Sequence, residues 1–243
     1  MITQETSLLV VSAHAADFVW RGGGTIAKYA EQGAKVKLII LSYGARGESN
    51  DLWKLDDQTL EKVKEHRNKE IENATRHLGI EDYEIWDFQD YHMTIDEERM
   101  ERLVKTIREV QPNDILTHGP RDAFNPDHET VSKFVFDAAV LSTSNGVRID
   151  GTKTAKQARI FGFEPHQSEI SDFKPEVIID ISDAYSKKEA AMNCFKAQKH
   201  LIDYYSSKAK LRGNHARRCS GSNDYLYAEA FSRFFPYVGG EFV

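Results

Sequence analysis

The fold is decided by residues 8–24, which read LLVVSAHAADFVWRGGG. The first four residues, Leu8–Val11, are all apolar, and a short apolar run of this kind is typical of a buried strand in a parallel sheet. His14 and Asp17 follow the strand directly, and the glycines Gly22–Gly24 come next. Ligands of open parallel sheets bind beyond the carboxyl ends of the strands, so these two side chains lie where chemistry is expected.

The rest of the chain alternates strand and helix patterns. The predicted strands are Leu8–Ser12, Val36–Leu41, Glu84–Trp86, Ile115–Thr117, Ile160–Phe163 and Val177–Ile181. The predicted helices are Gly24–Gln32, Leu60–Leu78, Glu97–Val110, Glu129–Ala139 and Ser186–Tyr205. No element is predicted after Tyr205, although the aromatic residues 225–235 are expected to pack. This alternation predicts an α/β, Rossmann-like fold with a mostly parallel sheet and helices on both faces.

Length and composition narrow the class of protein. The chain has 243 residues without an internal repeat or a clear linker, so we expect one domain over residues 1–243. Its 29% charged and 40% hydrophobic residues exclude global disorder. The net charge of −6 gives no reason to expect nucleic acid as a partner. No apolar run is long enough to span a bilayer, so we expect no membrane partner and a cytoplasmic location.

Three side chains in the predicted loops form a possible metal site. His14, Asp17 and His128 each follow a strand that should end on the same edge of the sheet. Two nitrogens and one oxygen suit Zn²⁺, and three protein ligands leave a position for water or substrate, as catalytic zinc sites do. A histidine in a loop is more often structural, so the spacing alone leaves both interpretations open.

Four segments together resemble the PIG-L/LmbE family of zinc-dependent deacetylases. They are Ala13–Asp17 (A-H-x-x-D), Gly23–Ala27, Gly44–Glu48 (G-x-x-G-E) and Pro126–His128 (P-D-H). The resemblance implies a Rossmann-like fold and a zinc ion held by His14, Asp17 and His128.

The chain departs from the family's deacetylases where amide hydrolysis needs specific groups. Those enzymes carry H-P-D-D, and the first aspartate acts as the general base. Here that position is Ala16, which cannot accept a proton. Asn125 stands where many of them have a histidine, and Phe195–Gln198 replaces their H-x-S-Q. Loss of the base costs orders of magnitude in rate, so these departures disfavour a deacetylase.

Other segments resemble a hydratase branch of the same family, and this resemblance covers nearly the whole chain. They are Ser12–Arg21, Gly44–Ser49, Phe163–Gln167 and Tyr227–Pro236. The branch adds water to 4-oxalomesaconate, giving 4-carboxy-4-hydroxy-2-oxoadipate, in the breakdown of gallate and protocatechuate. The resemblance implies a small anionic keto-acid substrate and a homo-oligomer, either a trimer or a hexamer.

Hydration of a conjugated double bond needs an electrophile, a base for the water and a proton donor. Zinc can be the electrophile. Glu48 is the best candidate for the base because its glycine-rich loop follows the second strand, and His166 is the second acid–base candidate. The predicted substrate-binding residues are Arg21, Arg46, Asn125, Arg217 and Arg218, the arginines because guanidinium binds carboxylates bidentately.

Three interpretations stay open. The first is a zinc-dependent hydratase. The second is a deacetylase of amino sugars or related amides in which Glu48 replaces the missing base, and Ala16 disfavours it. The third is a non-catalytic relic that binds zinc or a sugar, and the retention of Glu48 and His166 beside the metal ligands disfavours it.

Overall fold

The computed structural model describes residues 2–240. Its strands are β1 (Ser7–Ser12), β2 (Lys35–Ile40), β3 (Asp82–Ile85), β4 (Asp114–His118), β5 (Arg159–Phe163), β6 (Val177–Asp180) and β7 (Ala228–Arg233). Its α-helices are α1 (Asp17–Glu31), α2 (Asn50–Trp53), α3 (Leu60–Leu78), α4 (Glu97–Val110), α5 (Pro126–Ser142), α6 (Tyr185–Met192) and α7 (Ile202–Ser220). A 3₁₀ helix, Lys196–Leu201, precedes α7.

The strands form one sheet in the order β3-β2-β1-β4-β5-β7-β6. Strands β1 to β5 pair in parallel, and β7 runs antiparallel to both β5 and β6. The predicted α/β class and mostly parallel sheet are therefore confirmed. Among the described residues, the helices are all too short or too polar to cross a membrane.

Strand β1 is buried on both faces, as its apolar run predicts. Leu8 and Val10 pack with residues of α1, α3 and α6. Leu9 and Val11 point the other way and pack with residues of α4 and α5. Alternate side chains of a strand point to opposite faces, so a continuous apolar run is what a sheet between two helical layers requires.

The bounds predicted for α3 and α4 match the structure because both helices carry local capping signals. The Thr59 hydroxyl accepts a hydrogen bond from the Lys62 amide at the start of α3, and Gly79 ends the helix in the left-handed region at φ 73°. The Asp96 carboxylate accepts a hydrogen bond from the Arg99 amide at the start of α4.

The start predicted for the first helix is wrong, because α1 begins at Asp17 rather than at Gly24. The glycines lie inside the helix, where they allow it to pack closely on the sheet. A Cβ atom on Gly22 would lie 2.8 Å from Phe163, and one on Gly24 would lie 2.5 Å from Ile181. Both distances are too short for a side chain to fit without movement of its neighbour.

The single helix predicted over 186–205 is also wrong. Helix α6 ends at Met192, the 3₁₀ helix follows, and α7 continues to Ser220 through a segment with no predicted element. Gln198 interrupts the helical geometry with φ −131° and ψ 31°. Strand β7 was not predicted either, and it inserts between β5 and β6 within the aromatic segment expected to pack.

A buried ion pair attaches β7 and α6 to α1. The Lys188 ammonium lies 2.5 Å from a Glu229 carboxylate oxygen. The same carboxylate accepts hydrogen bonds from the backbone amides of Gly24 and Thr25 at 2.9 and 2.8 Å, and Lys188 donates to the carbonyl of Trp20 at 2.8 Å. Both members of the ion pair therefore bond directly to the backbone of α1.

The close packing of α1 predicts different effects for two neighbouring glycines. We expect Gly24→Ala to lower the free energy of unfolding by about 1–3 kcal/mol, because the new methyl group overlaps Ile181. Gly23→Ala is the matched control, since a Cβ there would have its nearest neighbour, Lys188, at 3.5 Å. Because alanine favours a helix interior, we expect Gly23→Ala to be neutral or stabilising by up to about 1 kcal/mol. Urea unfolding of both variants measures the difference, and equal effects would contradict this account of the packing.

Candidate metal centre and cleft

Four side chains from three segments of the chain meet beyond the carboxyl ends of the central strands. His14 and Asp17 follow β1, Glu48 follows β2 and His128 lies in the first turn of α5. One ligand atom from each lies within 4.8 Å of all the others. His14 Nδ1 is 3.2 Å from Asp17 Oδ2, 3.2 Å from His128 Nε2 and 3.3 Å from Glu48 Oε1. Two imidazoles and two carboxylates suit a divalent cation, so this group could hold a metal ion.

Two further carboxylates fix how the histidine rings are turned. His14 Nε2 lies 3.1 Å from Asp127 Oδ2, and His128 Nδ1 lies 2.9 Å from Asp122 Oδ2. In each pair the ring N–H donates a hydrogen bond to the carboxylate, so a neutral imidazole would have its other nitrogen, His14 Nδ1 or His128 Nε2, available to bind a cation. Metal-binding histidines generally donate their other N–H to such a partner, which orients the ring.

Asp127 is itself held by the chain. Its carboxylate accepts hydrogen bonds from the backbone amides of Tyr91 and Met93 at 2.9 and 2.8 Å. Burial opposes ionisation, but the hydrogen bonds from His14 and from these amides lower the pKa of Asp127 to about 2. The carboxylate therefore stays ionised at neutral pH and remains a hydrogen-bond acceptor for His14.

The carboxylates of Asp17 and Glu48 are ionised as well. Burial opposes ionisation of Asp17, but its interactions with the imidazoles of His128 and His118, whose Nε2 atoms lie 3.3 and 3.6 Å from Asp17 Oδ2, hold its pKa well below the usual range. Burial acts in the same direction on Glu48, and His14 next to it lowers the pKa of Glu48 below its usual value. Two ionised carboxylates in a buried site favour the binding of a cation.

A cleft of about 190 Å³ opens beside this group. It contains Arg21, Glu48, Asn125 and His166, four of the residues predicted to act on the substrate. The other residues along the cleft are Asp17, Trp20, Tyr91, Asp122, Phe124, His128, Gln198, Leu201 and Tyr205. The structure thus brings one predicted arginine and both predicted acid–base residues to the cleft beside the metal centre.

Arg21 also forms hydrogen bonds that connect parts of the metal centre. Its Nε donates to Asp17 Oδ1 at 3.3 Å, and one Nη donates to Asp122 Oδ2 at 3.3 Å and to the carbonyl of Glu164 at 3.1 Å. One guanidinium therefore links a predicted metal ligand to the carboxylate that orients His128.

His166 lies against helix α7. Its ring stacks on Tyr204 with centroids 4.3 Å apart, and its Nδ1 is 3.4 Å from the Tyr205 hydroxyl. Lys208 holds the loop by donating to the His166 carbonyl at 3.1 Å. Burial and the positive charges of Arg21 and Lys208 lower the pKa of His166 to about 4. The imidazole is therefore neutral at pH 7 and able to accept a proton.

Three arginines predicted to bind substrate are not brought to the cleft. Arg46 is exposed, although its backbone amide donates to Asp90 at 2.8 Å. Arg217 and Arg218 lie in the last turn of α7, and Arg217 donates to the carbonyl of Tyr225. At 1.5 Å per residue, this turn is about 18 Å along the helix axis from Tyr205. The side chains of Arg217 and Arg218 therefore lie away from the metal centre.

The sequence interpretation missed Asp122, Asp127, Gln198 and Tyr205. The adjacency of Asp127 and His128 was a usable signal, because metal-binding histidines pair with carboxylates. Asp127 nevertheless serves His14, which is distant in sequence, and His128 pairs with Asp122 instead. Such crossed pairing depends on the three-dimensional arrangement of the loops.

Comparison with known proteins fits this geometry. The PIG-L family model, described as GlcNAc-PI de-N-acetylase, matches residues 9–139, which include all four possible ligands. The chain belongs to the PIG-L family. A 4-oxalmesaconate hydratase of Pseudomonas putida is 39% identical over 241 residues, which cover 98% of this chain and 93% of that protein. The crystal structure of GalB, the 4-carboxy-2-hydroxymuconate hydratase of P. putida, matches with a TM-score of 0.94 at 38% identity, over 98% of this chain and all of that one.

Deacetylases of the family are more distant. A 1D-myo-inositol 2-acetamido-2-deoxy-alpha-D-glucopyranoside deacetylase of Kineococcus radiotolerans is 29% identical over 177 residues, covering 60% of this chain and 48% of that protein. The N,N'-diacetylchitobiose deacetylase of Pyrococcus horikoshii matches with a TM-score of 0.78 at 21% identity, over 94% of this chain and 84% of that one. This second likeness shows a shared fold.

If His14 and His128 bind a metal ion, replacing both histidines should remove the bound ion. We expect about one divalent ion per chain in protein purified without added metal, and almost none in the double variant His14→Ala/His128→Ala, because only carboxylates remain. The control is His66→Ala/His77→Ala, which removes two histidines of α3 outside the metal centre. Elemental analysis measures the content, and an unchanged ion content in the first variant would contradict the ligand assignment.

The lowered pKa of His166 should make the free energy of unfolding depend on pH. The folded pKa of about 4 lies below the value of 6.5 for an ordinary histidine. Between these pH values the unfolded chain binds more protons, so the free energy of unfolding falls as the pH falls. We expect His166→Gln to lose less stability than wild type between pH 7 and about pH 4.5, measured by urea unfolding with a chelator present. His77→Gln should follow the wild type, and a wild-type slope in His166→Gln would contradict the shift.

Proposed function

We propose that this protein is a zinc-dependent hydratase that adds water to 4-oxalomesaconate and gives 4-carboxy-4-hydroxy-2-oxoadipate. The observation that carries the proposal is the placement of Glu48 beside the metal ligands, while Ala16 occupies the position of the deacetylase base. The full-length similarity to the P. putida hydratases supports it. The pathway would be the breakdown of gallate or protocatechuate.

The substrate is a small polyanion, and the cleft offers groups for it. An ion held by His14, Asp17 and His128 would polarise the oxygens of the keto acid and make its double bond electrophilic. Zinc suits these nitrogen and oxygen ligands. Arg21 is the predicted arginine that lines the cleft, and its planar guanidinium suits a carboxylate.

Two residues are assigned to proton transfer. The Glu48 carboxylate is ionised and largely buried, so it is able to take a proton from the attacking water. The water oxygen then bonds to one carbon of the double bond, and the adjacent carbon receives a proton. His166 also lines the cleft, and it is the residue assigned to relaying the proton from Glu48 to that adjacent carbon, which returns both residues to their starting protonation states.

The deacetylase alternative needs a different base, since the side chain of Ala16 cannot accept a proton.

We also propose that the hydratase is a cytoplasmic homo-oligomer, either a trimer or a hexamer. Neither nucleic acid nor a membrane is proposed as a partner. The negative net charge of −6 is consistent with a protein that does not bind nucleic acid.

Direct assays of the purified protein separate the two activities. We expect the absorbance of 4-oxalomesaconate to decay on addition of protein, because hydration removes its conjugated double bond. We expect no acetate release from a panel of N-acetylglucosamine derivatives. Efficient acetate release without hydration of the keto acid would overturn the proposal in favour of a deacetylase.

The same assay tests the role of Glu48. We expect Glu48→Gln to lower kcat by about 10²–10⁴, the usual effect of losing a general base. KM and bound metal should change little, since His14, Asp17, His128 and Arg21 remain. Glu61→Gln, on the exposed side of α3, is the control. A near-normal kcat in Glu48→Gln would place the base elsewhere, with His166 as the next residue to replace.

A further inference from the structure

Glu48 is held by two side-chain amides, one on each carboxylate oxygen. Asn125 Nδ2 donates to Oε1 at 3.2 Å, and Gln198 Nε2 donates to Oε2 at 3.4 Å. We propose that Gln198 is a positioning residue that fixes the orientation of the Glu48 carboxylate. The inference rests on the proposed function, in which Glu48 activates the water.

The direction of the Gln198 amide is set by a group that can only donate. One Nη of Arg67 donates to Gln198 Oε1 at 3.1 Å. A guanidinium has no acceptor, so the amide oxygen must face Arg67 and the NH₂ group must face Glu48. The usual ambiguity between the oxygen and the nitrogen of a glutamine side chain is thereby removed.

Arg67 is itself rigidly placed inside helix α3. Its side chain is fully buried, its Nε donates to the carbonyl of Tyr43 at 3.2 Å, and its Nη1 donates to Glu70 at 2.8 Å. The other oxygen of Glu70 accepts a hydrogen bond from the backbone amide of Ala197 at 3.1 Å. Arg67 and Glu70 therefore hold the side chain of Gln198 and the backbone beside it.

Asn125 is oriented in the same manner. Asn125 Oδ1 accepts a hydrogen bond from the backbone amide of Asp127 at 3.2 Å. The NH₂ group of Asn125 therefore faces Glu48. With one amide on each oxygen, rotation of the Glu48 carboxylate breaks at least one hydrogen bond. A fixed orientation lowers the cost of aligning the base with the water, because that freedom is lost before the reaction starts.

Gln198→Met tests the inference, since methionine keeps the length of the side chain and removes its hydrogen bonds. We expect kcat to fall roughly 10- to 100-fold, the effect of losing a hydrogen bond to a charged group. KM and bound metal should not change. Lys196→Met is the control, because it makes the same change on an exposed residue of the same 3₁₀ helix, and it should behave as wild type.

A double-variant cycle separates positioning from a general structural effect. In a Glu48→Gln background, Gln198→Met should change kcat by less than about twofold, because there is no base left to orient. A wild-type kcat in Gln198→Met, an equal loss in both backgrounds, or a loss of bound metal would each overturn the inference.

Crystal structures of wild type and Gln198→Met give a readout that does not depend on activity. We expect the Glu48 carboxylate to lie between the two amides in the wild type and to leave that position in the variant. An unmoved Glu48 would overturn the inference. If the wild type does not hydrate the keto acid, the proposed function is wrong, and this structural comparison still decides whether Gln198 positions Glu48.

Discussion

The parallel pairing of β1 with β2 and β4 is the constraint on which the site depends. Leu8 pairs with Asp114 and Val10 with Leu116, so both strands end at the same edge of the sheet. The order β3-β2-β1-β4-β5 reverses direction at β1, and such a switch point leaves a crevice between neighbouring loops. The possible ligands, which are distant in sequence, meet in that crevice.

The sequence predicted the elements whose signals are local and failed where the cause is distant. The bounds predicted for helix α3 match the structure, in which Thr59 and Gly79 cap the helix. The glycines of α1 resemble a loop signal, but they serve contacts with Phe163 and Ile181 far along the chain. Strand β7 forms between β5 and β6, which supply its hydrogen-bond partners from distant parts of the chain, and no local pattern encodes that pairing.

The contrast between local signals and distant contacts also applies to the candidate site. Residue type and position after a strand were enough to nominate His14, Asp17, His128, Glu48 and His166, all of which meet at one cleft or beside it. The partners that orient them were missed, because a hydrogen bond such as that from Gln198 to Glu48 joins residues 150 positions apart in the chain. Charge alone was a poor guide, since it did not separate Arg21 from the arginines at the far end of α7.

The ion pair between Lys188 and Glu229 has a consequence for the order of assembly during synthesis. Helix α1 carries Asp17 and Arg21, yet two of its interior amides, those of Gly24 and Thr25, donate to a carboxylate more than 200 residues later in the chain. Contacts of such long sequence separation form late, because a large loop must close first. When the first 220 residues have left the ribosome, the four possible metal ligands have all been synthesised. The contact between Glu229 and α1 can form only after β7 has also emerged.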